Sequence, residues 1–267
     1  MAVRVPDYQV SGEGPVTVYL LHGIYGSKEY WRYLTERLVT RGYRAVAWDA
    51  PGYGLSPLPN PFSFDVVAEA GAALIRATGT KRNIVFGQSM GGQIAPRIRL
   101  KAPDAVHGLV ISSTIGYFGN RTKEEQEEFV RKRTGHAQTD SVAANLAVVN
   151  SLRAKDSSGP EVDFVREVAA RTAPKTVEAA VTAVRSYPEA DAVATIRAVS
   201  VPTLLVAGAV DETAPPSTMR RIADMIPNAE LCVVSGSGHY PWAENPADFD
   251  QFLFGFLEKH FGGRPAK

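Results

Sequence analysis

The apolar run Asn83-Ile84-Val85-Phe86 passes directly into Gly87-Gln88-Ser89-Met90-Gly91, and this junction restricts what the chain can become. A serine with glycine two residues away on either side suits a strand that turns abruptly into a helix. The turn forces the serine backbone into strain, and glycine lets the neighbouring backbone pass without collision. Ser89 then projects from the top of the turn, and the Met90 amide points into the same space. A serine hydroxyl is a weak nucleophile at neutral pH, so it also needs a base and donors for the oxyanion it creates. Those partners must come from elsewhere in the chain.

Strand and helix patterns alternate around the junction. Residues 3–10 and 16–21 read as strands separated by Ser11-Gly12-Glu13-Gly14-Pro15, which predicts an N-terminal antiparallel hairpin. The second strand enters His22-Gly23-Ile24-Tyr25-Gly26, where two glycines allow close backbone approach to a ligand; the Ile24 amide is a candidate second oxyanion donor. A helix over 28–40 carries Trp31, Leu34 and Leu38 on one face and stops at Gly42. A strand over 43–48 follows and ends in Asp49-Ala50-Pro51-Gly52-Tyr53-Gly54-Leu55-Ser56, with Asp49 read as a turn-stabilising residue. Residues 64–77 form a helix capped by Ser63. The helix after Ser89 should run to about residue 100, with a kink or break at Pro96, before a strand over 106–112. Such alternation predicts a mainly parallel sheet covered on both faces.

The alternation stops near Gly116. From 117 to 190 the apolar patterns are helical, which predicts a helical cap inserted between two parts of an α/β core, 1–116 and 191–267. Thr122-Lys123-Glu124-Glu125 reads as a capping box opening a charged helix, in which Glu127 with Arg131 and Glu128 with Lys132 make a solvated face. Further helices are expected over 141–155, 161–172 and 175–186. Alternation resumes with strands at 203–207 and 230–234 and helices at 217–225 and 247–260. The last has Asn245-Pro246 at its start and Phe249, Phe252, Leu253, Phe256 and Leu257 as its apolar stripe.

With 29 Lys+Arg against 28 Asp+Glu, the chain has a formal charge of +1 and no global attraction to nucleic acid or an anionic membrane. No apolar run is long enough to span a bilayer. The N-terminus lacks the charged start and apolar centre of a secretory signal, so cytoplasmic residence is expected. The single cysteine, Cys232, lies in an apolar strand and reads as a small buried hydrophobe. His22, His107, His136, His239 and His260 are too scattered to suggest a metal site, and neither metal nor cofactor is expected.

Two late loops complete the pattern. The strand at 203–207 ends in Gly208-Ala209-Val210-Asp211-Glu212, and the next ends in Gly236-Ser237-Gly238-His239-Tyr240. Both place a titratable residue at a strand's C-terminal end, where open α/β sheets gather their sites. Serine, aspartate and histidine in that chain order match an α/β-hydrolase triad. On His22-Gly23, Asp49 to Ser56, Gly87-Gln88-Ser89-Met90-Gly91-Gly92, Asp211 and Gly238-His239, the chain resembles the α/β-hydrolase superfamily over essentially its whole length. The resemblance implies Ser89 as nucleophile, His239 as general base and acid, and Asp211 as the group orienting the imidazole, with Ile24 and Met90 amides as the oxyanion hole. It leaves His22 a structural hydrogen-bonding role and makes Glu212 a weaker rival to its neighbour Asp211.

The resemblance is less specific for the substrate, taken to be a small molecule. A serine at the elbow argues against haloalkane dehalogenases and epoxide hydrolases. Carbon-carbon bond hydrolases of meta-cleavage pathways share the size, the Ser-Met-Gly-Gly run and the cap, but usually carry Pro-Gly in the first loop, an asparagine downstream and Trp directly after the catalytic histidine; this chain has Ile24-Tyr25-Gly26-Ser27 and Tyr240 instead. Small carboxylesterases and enol-lactonases of the 3-oxoadipate type fit better, so ester or lactone hydrolysis is expected. Carbon-carbon hydrolysis and a weakly catalytic ligand receptor on the same fold remain alternatives. Tyr25, Tyr117, Phe118 and Trp242 are candidates to line an apolar pocket. Arg153, Arg166, Arg171 and Arg185 in the cap are candidates to meet a substrate carboxylate, against a default of surface solvation.

Overall fold

A computed structural model describes residues 4–117, 121–134 and 140–262. Among these, seven strands form one sheet: β1 (Tyr8–Ser11), β2 (Val16–Leu21), β3 (Arg44–Trp48), β4 (Arg82–Gln88), β5 (Gly108–Ser112), β6 (Thr203–Gly208) and β7 (Glu230–Val234). Their spatial order is β1-β3-β2-β4-β5-β6-β7, with β1 antiparallel to β3 and every other pair parallel. All residues of β2, β5 and β6 are buried, as expected where helices cover both faces.

A 3-10 turn (Lys28–Trp31) leads into α1 (Arg32–Thr40), followed by α2 (Phe64–Thr78) and α3 (Met90–Lys101). Between β5 and β6 lie α4 (Lys123–Thr134), α5 (Ser141–Leu152), α6 (Pro160–Ala170), α7 (Pro174–Ser186) and α8 (Glu189–Arg197). The core then resumes with α9 (Pro216–Ala223), α10 (Pro241–Glu244) and α11 (Pro246–Phe261). The capping signals act as expected. Ser63 Oγ accepts the Val66 amide at 3.3 Å, Asn245 Oδ1 accepts the Asp248 amide at 3.3 Å, and Thr122 and Glu125 exchange reciprocal bonds at 2.7 and 3.2 Å. No helix among the described residues is long and apolar enough to cross a membrane.

Several expectations need correction. The N-terminal hairpin does not form: β1 pairs with β3, Tyr8 opposite Trp48, rather than with β2. Both edges of the wholly buried β2 are taken by parallel partners, and the mostly exposed β1 suits the sheet edge instead. Nor does Pro96 break α3. Ile94, Ala95 and Ile98 beside it are fully buried, and that packing outweighs one lost backbone bond. On α11 the inward stripe takes Phe254, while Phe252 is 39% exposed. In α4, Glu128 pairs with both Arg131 and Lys132. Helix α8 has no counterpart in the sequence reading.

The strand order reverses around β2, which lies between β3 and β4. This topology opens a crevice at the C-terminal ends of the parallel strands. Register decides which loops meet there. Leu21 pairs with Gly87 and Gly208 with Val234, so the loops leaving β2 and β4 start side by side, as do those leaving β6 and β7.

Candidate active site

Ser89 stands between β4 and α3 with φ 54° and ψ −114°, a left-handed conformation that costs of order 1–3 kcal/mol in a non-glycine residue. Its amide donates to Ser112 O at 2.9 Å, and its carbonyl accepts Gly92 and Gln93 amides at 3.0 and 3.3 Å. The flanking glycines are sterically required. A Cβ on Gly87 would collide with the Gly91 carbonyl, and one on Gly91 with the Leu21 carbonyl.

Three loops bring the predicted triad together. His239 Nε2 lies 3.0 Å from Ser89 Oγ, and His239 Nδ1 lies 2.8 Å from Asp211 Oδ2. Asp211 Oδ1 accepts the Thr213 and Ala214 amides, both at 2.9 Å. Burial of Asp211 opposes its ionisation, but the His239 ring and these two amides together outweigh it and hold the carboxyl below its ordinary range. The rival, Glu212, is exposed.

The neighbouring hydrogen bonds bind these loops into one unit, through residues the sequence did not single out. Gln88 Nε2 donates to His239 O at 3.0 Å, while Gln88 Oε1 accepts the Tyr30 hydroxyl at 3.0 Å; that hydroxyl accepts the Gly23 amide at 2.9 Å. Glu244 Oε2 accepts the Ala154 and Gly238 amides at 2.6 and 3.0 Å, and its Oε1 accepts the Tyr240 amide at 2.8 Å. A further bond runs from the His239 amide to Leu152 O at 3.0 Å, so the histidine loop is tied to the end of α5.

His22 and Asp49 serve the surrounding frame. The fully buried His22 donates from Nδ1 to Gly23 O at 2.8 Å and accepts the Ala50 amide on Nε2 at 3.1 Å, an assignment set by the hydrogen-bond network. Burial pushes its pKa down to about 4. Its acceptor nitrogen is thus already used, and it cannot take a proton from Ser89. Asp49 holds Lys28 through the amide at 2.8 Å and Nζ at 2.5 Å, and its carbonyl accepts Ser56 Oγ at 2.8 Å. Cys232 is half-buried, donates to Leu205 O at 3.5 Å, and has its thiol pKa pushed by burial up to about 12. It is an inert strand residue.

Beside Ser89 and His239 is a narrow cavity of about 30 Å³ that Ile24, Tyr25, Met90, Gln93, Phe129 and Arg133 help to line. Neither the Ile24 nor the Met90 amide donates to a protein acceptor among the described residues, and Met90 opens α3, where amides have no intrahelical partner. Of the proposed pocket residues, Tyr25 lines this space. Trp242 does not: it is 1% exposed and packs against Trp31 and Tyr30, with ring centroids 4.7 and 5.3 Å away. Tyr117 is half-buried outside the lining, and Phe118 lies outside the described residues.

The arginines proposed to meet a carboxylate are also elsewhere. Arg153 bonds Ser157 O at 2.5 Å, Arg166 pairs with Asp163, Arg171 pairs with Glu29 at 2.6 Å, and Arg185 is exposed. Arg133 occupies the cavity wall instead. It follows Phe129, the buried residue of this charged helix, by four residues and so shares its inward face, a spacing that points inward only once the burial of Phe129 is known.

Comparison with known proteins bears on the family and the fold. The model of the alpha/beta hydrolase family matches residues 18–252. A pimeloyl-[acyl-carrier protein] methyl ester esterase of Hamiltonella defensa is 24% identical over 258 residues, covering 94% of this chain and 96% of its own. A thermophilic esterase from Thermogutta terrifontis superposes with a TM-score of 0.83 at 25% identity, over 95% and 93% of the two chains. The enol-lactonase from Burkholderia xenovorans LB400 shares the fold, with a TM-score of 0.81 at 21% identity over 94% and 95%. By its family match over most of its length and its esterase relatives, the chain belongs to the alpha/beta hydrolase family and is a hydrolase.

Proposed function

We propose that the protein hydrolyses a carboxylic ester or lactone of a small molecule through an acyl-enzyme on Ser89. The observation that carries this reading is the continuous relay from Ser89 Oγ through His239 to Asp211, at 3.0 and 2.8 Å, beside a cavity. His239 Nε2 takes the Ser89 proton as Oγ attacks the carbonyl carbon. Asp211, accepting from Nδ1–H, holds the ring in that tautomer and stabilises the imidazolium.

The tetrahedral oxyanion is received by the Ile24 and Met90 amides, where losing one donor typically costs roughly 3 kcal/mol of transition-state stabilisation. The start of α3 adds the positive end of its dipole. His239 then returns the proton to the departing alcohol oxygen. In the second half-reaction it deprotonates water, and the acid is released with Ser89 regenerated. A cavity of about 30 Å³ has room for roughly two waters, so side chains from α4 and α7, including Phe129, Arg133 and Val184, must be displaced to admit an ester. The names of the esterase relatives support the same bond class.

The test is direct. Purified protein should hydrolyse short p-nitrophenyl esters and be labelled on Ser89 by a fluorophosphonate, with both lost in Ser89→Ala. No turnover across esters and lactones together with no labelling would overturn the reading.

A further inference from the structure

Arg133 is a half-buried charged residue whose described partners include no carboxylate. It lines the cavity shared by Ser89 and His239, and its guanidinium carbon sits 3.7 Å from the centroid of the Phe129 ring. Among the described residues its Nη1 donates to Phe129 O, one turn back on the same helix, at 3.3 Å. No described Asp or Glu pairs with it, and the residues outside the described set contain neither type. Burial pushes the Arg133 pKa down; the Tyr25 and Tyr240 phenols oppose this, while Arg121 adds a like charge. A half-buried cation held, among the described residues, by a ring face and one backbone carbonyl is poorly compensated, and an anion entering the cavity would gain what those residues leave unmet.

A second, independent observation lies in the same wall. Among the described residues the buried hydroxyl of Tyr25 has no hydrogen-bond partner, and Tyr25, 5% exposed, lines the cavity. A phenol is both donor and acceptor, and an orphaned buried one costs about 1–3 kcal/mol unless a ligand completes it.

We propose that Arg133 and the Tyr25 hydroxyl form an anion subsite for a carboxylate on the substrate, so that the ester or lactone cleaved at Ser89 also carries a free carboxyl group. This inference rests on the serine-hydrolase reading above. A planar carboxylate matches the guanidinium fork and leaves one oxygen for the phenol, whereas a bulkier tetrahedral phosphate is disfavoured by the narrow cavity. On binding, Arg133 exchanges the Phe129 ring for the carboxylate. The same movement would open space beside Ser89.

The experiment compares two esters of equal acyl length, neutral p-nitrophenyl valerate and mono-p-nitrophenyl glutarate, using the full chain. The expected wild-type preference for the glutarate ester is about 10- to 100-fold in kcat/KM. In Arg133→Gln the ratio should collapse towards one, mainly through KM, while Arg133→Lys retains part of it and Tyr25→Phe reduces it. The same ratio in wild type and Arg133→Gln overturns the proposal, as does a wild type without preference. Should Arg133→Gln fail to fold, the wild-type ratio and Tyr25→Phe still decide.

Glutarate should also inhibit valerate ester hydrolysis competitively in the wild type, whereas inhibition by inorganic phosphate alone would overturn the carboxylate assignment. If valerate ester is hydrolysed without a glutarate preference, the subsite fails and the hydrolase reading stands. If neither ester turns over and Ser89 resists fluorophosphonate, the hydrolase reading fails, and calorimetry with glutarate then isolates the subsite. Binding lost in Arg133→Gln supports it, and no binding overturns it.

Discussion

The Glu244 carboxylate accepts the Ala154 amide at 2.6 Å, joining the residue after α10's Ala243 to the segment that follows α5. Because it also accepts Gly238 and Tyr240 amides, the residues on both sides of His239 are anchored to the inserted helices. Removing it in Glu244→Ala leaves three amides without their acceptor. Stability should fall by about 3 kcal/mol in urea unfolding, and kcat should drop more than KM rises as His239 loses its bearing. A loss below about 0.5 kcal/mol, with kcat unchanged, would show that the clamp carries little.

Strain at Ser89 should separate two of its variants. Ser89→Ala and Ser89→Gly should both abolish turnover, but glycine accepts φ 54° without penalty. After allowing for its greater unfolded-state entropy, Ser89→Gly should be more stable than Ser89→Ala by about 1 kcal/mol, read from urea midpoints. Equal stabilities would show that the elbow is not strained.

Gln88 and Tyr30 act through one shared hydrogen bond, so their substitutions should not add. A cycle of Gln88→Ala, Tyr30→Phe and the double variant should return a coupling of about 1 kcal/mol or more. Additivity within about 0.3 kcal/mol would mean that the two side chains work independently.

His22 sets a pH dependence whose sign follows from its burial. Its pKa is about 4 in the folded protein, against the ordinary 6.5, so the unfolded chain binds more protons between these values. Its contribution is fully present above pH 6.5, falls as pH drops through 4, and amounts to about 3 kcal/mol at most. Urea midpoints measured from pH 7 to 4 should decline accordingly, and His22→Asn should flatten that part of the curve at the cost of lower stability at pH 7.

The central frame was legible because it is written in local patterns. Glycine spacing around Ser89 expresses contacts that a Cβ would forbid, and β5 and β6 announce themselves as unbroken buried runs. The position of β1 was not legible, since a short mostly exposed strand has no preference of its own and takes whichever edge the buried strands leave open. Trp242 and Arg133 show the same limit within the site. Nearness in sequence to His239 suggested a pocket for Trp242, but its ring turns into the aromatic core beside Trp31. Arg133 was hidden among Arg131 and Lys132, because adjacent helical residues point about 100° apart and composition does not record direction.

A Gly-x-Ser-x-Gly elbow looks portable, five residues to be lifted from one hydrolase into another. Here the residue before the serine is also a joint: Gln88 holds the carbonyl of His239 with one end and, through Tyr30, the Gly23 amide with the other. An elbow transplanted into this chain with a different residue at position 88 would arrive with its serine correctly raised and the His239 loop and first loop unmoored. For redesign, the unit of exchange is therefore Gly23, Tyr30, Gln88 and His239 taken together.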